Sequence, residues 1–443
     1  MNSTVQLYRA NNTYHSSCKK LITICVIITA LFFLRIWNNS AIFPITVLGI
    51  LFVVLCDSAA GFSLLLFMLP CAPILKIDPE QVSYFTFMFL AYNAKFLIKY
   101  IIRDREKIIK LIPLFILFCY NLIFSGINQI IANITMVLGL VMVMSVRVDE
   151  KLNFQWAIYA FSAGILLASI IALFKEQSII LEKFIEEGTI KLSEEEFIDR
   201  FAGLQGNPNY YTMDITIAIA CLIATMSIKK FNLIGLILVT SLAVFGLMSA
   251  SKSFLLSLVL LAVCLLIKTA FSKDIIMSLK IIIIFATLIL GIYLFDKDAL
   301  NTYMIRFNID KGANISEIST GRSDIWISYL QSIISDPYIL IFGNGLNTTL
   351  HNAKGAHNTY IETLFSLGVL GSIILLGVIR FIIKNNAYSK TSVSNKYILL
   401  IPVLLYLVRI FAIGTLTYDN TWYYISIMYL MYIDFTVKDV SEK

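Results

Sequence analysis

The sequence predicts an all-α membrane protein that crosses the bilayer many times. Of its 443 residues, 58% are hydrophobic and only 14% are charged, whereas about 25% of the residues of an ordinary soluble domain are charged. The mean hydropathy is +0.82. A soluble chain of this length could not bury so much apolar surface. The composition therefore excludes a water-soluble enzyme, a secreted disulfide scaffold and a disordered chain.

Apolar windows along the chain mark the candidate spans, because crossing the hydrocarbon core of ~30 Å takes roughly 20 apolar residues. They lie near 21–36, 41–56, 61–75, 83–101, 108–126, 129–146, 154–174, 209–227, 231–248, 253–270, 275–295, 358–379, 397–415 and 421–435. The second and third windows are short and leave open a re-entrant hairpin. The sequence therefore predicts 12 or 14 transmembrane helices.

The distribution of Lys and Arg predicts the orientation of these helices. Cytoplasmic loops are enriched in both residues, and most of the 35 in this chain fall on one side when both termini are placed inside. The first span is followed by Arg35-Ile36-Trp37 and not by a small-residue cleavage site, so we expect a retained anchor. The net charge of +7 then belongs to cytoplasmic loops, and we expect no nucleic-acid partner.

The spans divide the chain into five predicted regions. These are seven N-terminal spans, a first long outer loop, four membrane helices, a large outer loop and the C-terminal helices, with bounds 1–174, 175–208, 209–295, 296–357 and 358–443. Long loops on a rigid scaffold often carry binding and catalytic residues. Apolar residues at helical spacing predict an amphipathic helix over 324–335 on the outer membrane surface, and 181–199 predicts a weaker interfacial helix.

The sequence gives no indication of metal or nucleotide chemistry. The seven cysteines include no CxxC pair, and the chain has only three histidines, so neither residue type shows the spacing of a metal site. No phosphate-binding loop of the nucleotide type occurs. We therefore expect no metal and no cofactor.

His357 begins the densest group of polar residues. It opens the run His357-Asn358-Thr359-Tyr360-Ile361-Glu362 at the predicted outer mouth of a membrane helix. An imidazole has an ordinary pKa of about 6.5, which suits it to accept a proton at physiological pH. The alternative is an interfacial histidine that is solvated by water.

Two loop arginines form the second candidate group. Arg322 follows Gly321, and Arg200 precedes the turn residues Asn207 and Asn209 at the start of a span. A guanidinium binds two phosphate oxygens at once and stays charged. The pair could hold a pyrophosphate, and each arginine could equally be a solvated surface charge.

Charged residues in or near the spans need a partner, since a charge in the bilayer is costly. Arg409 is the most central of them, Lys95 lies nearer the inner face, and Asp214 and Glu362 lie about one turn inside the predicted outer boundary. We expect structural ion pairing, with a lipid phosphate as the alternative partner of Arg409. Lys252, in a short outer turn, could add to an anionic site or extend toward the interface.

Three features in order resemble the bacterial O-antigen ligase and O-antigen polymerase superfamily. His357-Asn358, followed after nine residues by Gly368-Val369-Leu370-Gly371, is similar to its His-Asn…Gly-x-x-Gly motif. The segment 200–209 and the run Thr320-Gly321-Arg322…Trp326 are similar to two further segments of the family. The resemblance covers roughly residues 195–380.

Two details of this chain depart from the family pattern. His351-Asn352 repeats the His-Asn pair six residues upstream, but only His357 has glycines at the required distances. Lys252 stands where many members have an arginine, so this position supplies charge without a two-pronged guanidinium.

The resemblance implies a C-type glycosyltransferase-like fold with a large helical extracytoplasmic loop, in the bacterial inner membrane, with its site on the periplasmic face. It also implies a glycan donor linked to undecaprenyl diphosphate. His357 would be the general base or orient the acceptor hydroxyl, and Arg200 and Arg322 would hold the diphosphate as it leaves. The implied substrate-binding residues are Asn358, Lys252, Asn207, Asn209, Gly321, Tyr360 and Glu362.

The expected function is that of an O-antigen polymerase. Such an enzyme transfers a growing glycan from undecaprenyl diphosphate to the non-reducing-end hydroxyl of another lipid-linked repeat unit. Richness in Ile, Lys, Asn, Phe and Tyr is typical of AT-rich polysaccharide gene clusters and favours it. The alternatives are a ligase that transfers glycan to lipid A-core, a protein O-glycosyltransferase, and a flippase or other transporter. The implied partners are the lipid-linked oligosaccharide, membrane lipid, a chain-length regulator and a flippase.

Overall fold

The described part of the chain is helical apart from turns and one short β-ladder, which confirms the predicted helical class. A computed structural model describes residues 2–103, 109, 111–148, 152–185, 190–191, 197–198, 200–228, 232–272, 322–350, 355–383, 393–416 and 420–436. Gly321 and the apolar window 275–295 therefore lie outside the described residues.

The elements are numbered in chain order. The helices before the large loop are α1 (Asn2–Trp37), α2 (Ile42–Leu55), α3 (Ser58–Met68), α4 (Phe85–Arg103), α5 (Ile112–Ser125), α6 (Ile130–Val148), α7 (Phe154–Ala172), α8 (Ile179–Glu182), α9 (Pro208–Ile228), α10 (Leu233–Met248) and α11 (Lys252–Ser272). The later helices are α12 (Arg322–Ser335), α13 (Pro337–Phe342), α14 (Thr359–Ile383), α15 (Val393–Arg409) and α16 (Asn420–Thr436). The strands are β1 (Ile190–Lys191) and β2 (Phe197–Ile198).

Seven helical segments in the described residues are long and apolar enough to cross a membrane. They are Ser17–Trp37, Phe85–Ile102, Ile127–Val146, Phe154–Ala172, Pro208–Ile228, Lys252–Thr269 and Thr359–Ile383. The chain is therefore a helical membrane protein with several candidate spans, as the sequence predicts. The remaining apolar helices are shorter, so the total of 12 or 14 spans stays a prediction.

The hairpin of α2 and α3 runs along the whole first span. The Ser17 hydroxyl, at the start of that span, donates to the Asp57 carboxylate in the turn between the two helices. Asp57 also accepts the Ala60 N–H at 2.8 Å and so caps α3. Because α2 begins five residues after Trp37, its far end reaches the opposite end of α1. This reach argues against a re-entrant hairpin.

The chain folds as two compact units, each built from two segments. The first unit comprises Met1–Ile98 and Lys151–Ser249, and the second comprises Lys99–Glu150 and Ala250–Lys443. Within the first unit, α7 packs against α3, α9 and α10. Within the second unit, α14 packs against α5, α12 and α13, while α15 packs against α11 and α16 against α6.

Of the two helices predicted in the outer loops, one is confirmed and the other is wrong. The helix expected over 324–335 is α12, which buries Tyr329 and Ile333 and leaves Ile334 exposed. Where a helix is expected over 181–199, the described residues after Glu182 are not helical. Instead, α8 ends at Glu182, and β1 pairs with β2 so that Ile190 faces Ile198. These β-branched residues suit a strand pair better than a short isolated helix.

Candidate functional site

The segment 410–416, which follows α15, contacts several of the candidate residues in the second unit. The Thr359 N–H donates to the Ile410 carbonyl at 2.9 Å, and its hydroxyl donates to the Ile413 carbonyl at 2.7 Å. Arg322 Nη1 donates to the Ala412 carbonyl at 3.0 Å. The first residue of α14 and the first residue of α12 are thus both tied to this one segment.

Asn358 is the cap of α14. Its side-chain oxygen accepts the Tyr360 N–H at 3.0 Å and the Ile361 N–H at 3.3 Å, and its carbonyl accepts the Glu362 N–H at 2.9 Å. An asparagine at this position satisfies N–H groups that have no partner within the helix. The asparagine of the His-Asn pair therefore fixes where the helix begins.

His357 stands immediately before this cap in a left-handed backbone conformation. Its φ is +49°, a value that residues other than glycine rarely adopt and that often marks a functional position. The side chain is half-buried. The backbone just before it is held by Trp326, whose Nε1 donates to the Ala356 carbonyl at 2.9 Å. His357 is therefore presented from a fixed backbone at the mouth of α14.

Helix α12 is docked firmly on α14, and this docking places Arg322. The ring of Tyr329 packs edge-on against that of Phe365, with 4.8 Å between centroids. The Tyr329 hydroxyl accepts the Leu350 N–H at 3.1 Å. Burial raises the pKa of Tyr329, and the Glu362 carboxylate raises it further, while the Leu350 bond acts in the opposite direction. The hydroxyl thus remains a neutral acceptor at physiological pH.

The Glu362 carboxylate lies against the same 410–416 segment. Its Oε2 accepts the Leu416 N–H at 3.5 Å, and a Cβ at Gly414 would lie 2.6 Å from Oε2. The absence of a side chain at Gly414 thus makes room for the carboxylate. The Thr359 and Thr415 hydroxyls are 2.9 Å apart beside it. Glu362, predicted to bind substrate, is in this arrangement half-buried and next to backbone N–H groups.

Arg409 contacts the first turn of α11 in the second unit through Ser253. Arg409 is 1% exposed, and its Nη1 donates to the Ser253 hydroxyl. Lys252, the adjacent residue, is half-buried at the start of α11. The predicted pairing of Arg409 with an acid or a lipid phosphate stays a prediction.

The two glycines of the motif shape α14 below the site. Gly368 interrupts the helix with φ +62° and ψ −174°. There the carbonyls of Phe365 and Ser366 accept the N–H groups of Asn344 at 2.7 Å and Gly345 at 3.0 Å. A Cβ at Gly368 would lie 2.5 Å from the backbone of 341–343, and one at Gly371 would lie 2.4 Å from the ring of Tyr120. Both glycines permit close packing on α14.

The remaining candidates lie in the first unit, at the start of α9. Arg200 Nε donates to the Ser249 carbonyl at 2.9 Å. Asn207 accepts the Asn209 N–H at 2.9 Å, so the expected turn forms. Asp214 is 1% exposed and accepts Gln205 Nε2 at 3.1 Å. The segment 200–209 is thus folded onto its own helix.

The residues that the sequence predicted fall into these two groups. Arg322, Tyr360 and Glu362 contact 410–416 in the second unit. His357 and Asn358 directly precede Thr359, which contacts the same segment, and Lys252 precedes Ser253, the partner of Arg409. Arg200, Asn207 and Asn209 belong to the first unit. Sequence reasoning missed the segment 410–416, because it placed 397–415 inside a span, whereas α15 ends at Arg409. The Gly414-Thr415 pair was the available turn signal.

Comparison with protein-family models, with curated proteins and with solved structures finds no match for this chain. In the described residues, no group of three or more His, Cys, Asp or Glu side chains could hold a metal ion. The resemblance noted in the sequence therefore rests on its own motifs, the His357 run and the two arginine segments.

Proposed function

We propose that this chain is a glycosyltransferase of the O-antigen polymerase and ligase superfamily, with a C-type glycosyltransferase-like fold. It acts at the outer face of the bacterial inner membrane without a metal. It transfers a growing glycan from undecaprenyl diphosphate to the non-reducing-end hydroxyl of another lipid-linked repeat unit. The sequence resemblance supports the donor class. The structural observation that carries the proposal is that 410–416 binds both Arg322 and Thr359, the residue two positions after His357.

In the proposed reaction, the half-buried His357 imidazole accepts the proton of the acceptor hydroxyl. The hydroxyl oxygen forms a bond to the anomeric carbon of the donor sugar, and the bond from that carbon to the diphosphate oxygen breaks. Arg322 stabilises the negative charge that develops on the leaving undecaprenyl diphosphate. One of its N–H groups is fixed on the Ala412 carbonyl, so the guanidinium is positioned before substrate arrives. The role of Arg200 as a second diphosphate ligand stays a prediction of the resemblance.

A reconstitution with defined lipid tests this proposal. Purified protein in detergent receives undecaprenyl-diphosphate-linked repeat units and EDTA, and the products are separated on a gel. We expect a ladder of products that falls by roughly 10²–10⁴-fold in His357→Ala, the usual contribution of a general base. His351→Ala, which removes the histidine of the duplicate pair, is the matched control and should leave the ladder unchanged.

Other outcomes contradict parts of the proposal. Product that appears only after lipid A-core is added would mean a ligase. No product with either acceptor, together with transport of the lipid-linked glycan in vesicles, would mean a transporter. Full activity of His357→Ala would refute the proposed role of that residue.

A further inference from the structure

Three aromatic rings lie together beside the candidate site in the second unit. The ring of Phe411 is 5.7 Å from that of Trp326, edge-on, and 5.6 Å from that of Tyr360, tilted. Phe411 is 51% exposed and Tyr360 is 44% exposed. Three different elements supply the rings: α12, the start of α14 and the segment after α15. We call Trp326, Tyr360 and Phe411 the aromatic triad.

Hydrogen bonds to backbone carbonyls fix the two outer members of the triad. Trp326 Nε1 donates to the Ala356 carbonyl at 2.9 Å, and the Tyr360 hydroxyl donates to the Leu407 carbonyl at 3.0 Å. The polar atoms of both side chains are thus engaged, while the ring carbons remain available for contact. Rings held in this way lose little conformational entropy when a ligand binds.

Each ring lies next to a segment that positions a residue of the proposed reaction. Trp326 holds the carbonyl of the residue before His357. Phe411 precedes Ala412, whose carbonyl binds Arg322. Tyr360 lies in the first turn of α14, two residues after the cap. The aromatic triad therefore borders the position where the acceptor hydroxyl and the donor diphosphate are proposed to meet.

We propose that the aromatic triad is a stacking platform for the acceptor sugar of the lipid-linked glycan. A pyranose has one face of C–H groups, and the electron-rich face of an aromatic ring attracts such partly positive hydrogens. Binding sites of this kind combine aromatic surface with a few well-placed polar groups, and His357 and Glu362 are the polar groups here. This inference deepens the proposed function and rests on it for the identity of the ligand.

The isoprenoid tail is the other conceivable occupant, because aromatic side chains also collect at membrane interfaces. The position of the rings favours the sugar. Trp326 belongs to α12, which is not among the candidate spans, and Phe411 follows the end of α15 at Arg409. Both rings therefore lie outside the candidate spans, and Tyr360 is only the second residue of the span Thr359–Ile383. On α15, the exposed Leu400 and Leu404 offer a separate apolar surface to lipid.

Phe411→Leu tests the inference, since it removes a ring while keeping an apolar side chain that lipid would tolerate. The matched control is Phe115→Leu on α5, a ring that is 65% exposed and away from the site residues. One probe is an oligosaccharide that is prepared by partial acid hydrolysis of the surface polysaccharide of the source cells. Its binding is measured by saturation-transfer NMR. The second probe is undecaprenyl phosphate, which carries no sugar.

We expect Phe411→Leu to weaken binding of the oligosaccharide about tenfold, the upper range for a single aromatic contact, and to leave binding of undecaprenyl phosphate unchanged. The reconstituted enzyme should show the same change in KM for the acceptor with little change in kcat. Weaker binding of undecaprenyl phosphate with unchanged binding of oligosaccharide would overturn the inference in favour of the tail.

The two proposals can fail separately. A wild-type protein that builds the ladder, with the same KM in Phe411→Leu as in Phe115→Leu, would refute the aromatic triad and leave the polymerase standing. A wild-type protein that binds the oligosaccharide through Phe411 but makes no product would refute the polymerase and leave the sugar platform standing.

Discussion

Two membrane helices of this protein, α9 and α14, begin in the same way but differ in the surroundings of their first turns. Each start is fixed by an asparagine, since Asn207 accepts the N–H of Asn209 at 2.9 Å and Asn358 accepts that of Tyr360 at 3.0 Å. Each predicted arginine also donates to a backbone carbonyl, Arg200 to that of Ser249 and Arg322 to that of Ala412. The hydrogen bonds that fix the two helix starts are thus nearly the same.

The difference lies in the exposure of the polar groups. At α9 the acidic residue, Asp214, is 1% exposed and is hydrogen-bonded by Gln205 from its own loop. At α14 the acidic residue, Glu362, is half-buried, as is His357. A buried carboxylate that is held by its own loop contributes to the fold of that loop. A partly exposed histidine and carboxylate can exchange protons with a substrate, so we propose that the chemistry belongs to α14.

After His357, the largest effect is expected at Arg322, and it would show whether this arginine takes part in the reaction or only in the fold. Arg322→Ala should lower kcat about 10²–10³-fold, as does removal of a group that stabilises developing charge. Arg322→Lys should recover part of this loss, because a lysine restores charge without the two-pronged geometry. The measurement is the initial rate of ladder formation by the reconstituted protein.

The matched control for Arg322 is Arg380→Ala in the last turn of α14, where the side chain is exposed. It should leave the rate unchanged. An Arg322→Ala protein as active as Arg380→Ala would break the comparison, since Arg322 would then contribute no more to the reaction than an exposed arginine at the far end of the helix.

The second prediction concerns the interruption of α14 at Gly368. Gly368→Ala should lower the free energy of unfolding by about 1–3 kcal/mol, the cost of a left-handed conformation for a residue with a side chain. The overlap with the backbone of 341–343 adds to that cost. The measurement is the Tm of the protein in detergent, obtained from thermal unfolding monitored by circular dichroism.

Gly377→Ala in the same helix is the control for Gly368. A Cβ at Gly377 meets no atom within 4 Å, and alanine favours a helix over glycine by about 1 kcal/mol. This variant should therefore keep or raise the Tm. Equal Tm values for the two alanine variants would show that the interruption does not support the α14 start.

Local signals allowed the sequence to predict part of this arrangement. The helical class, the helix predicted at 324–335 and the Asn207 turn follow from apolar spacing and turn residues that lie close together in the chain. The His357-Asn358 run could be singled out for the same reason. Its asparagine proves to be a cap, which is a contact within three residues.

Contacts between distant residues could not be predicted in this way. Arg322 meets Ala412 ninety residues away, and Trp326 meets Ala356 thirty residues away. The predicted span 397–415 also extends beyond Arg409, where the helix ends, because Ile410, Phe411 and Ile413 are apolar. The chain leaves the helix there since Thr359 takes the carbonyls of Ile410 and Ile413.

The smallest effect is expected at the two asparagine caps, and it is the most direct comparison of α9 with α14. Asn207→Ala and Asn358→Ala should each lower the free energy of unfolding by about 1 kcal/mol, the usual cost of losing a cap. Asn358→Ala should also lower kcat, because the cap fixes the backbone next to His357. Asn207→Ala should leave kcat nearly unchanged, since its loop supplies no proton-transfer group. Asn358→Asp keeps a capping oxygen and should restore both stability and rate. Equal losses of kcat in the two alanine variants would mean that both helix starts take part in the reaction.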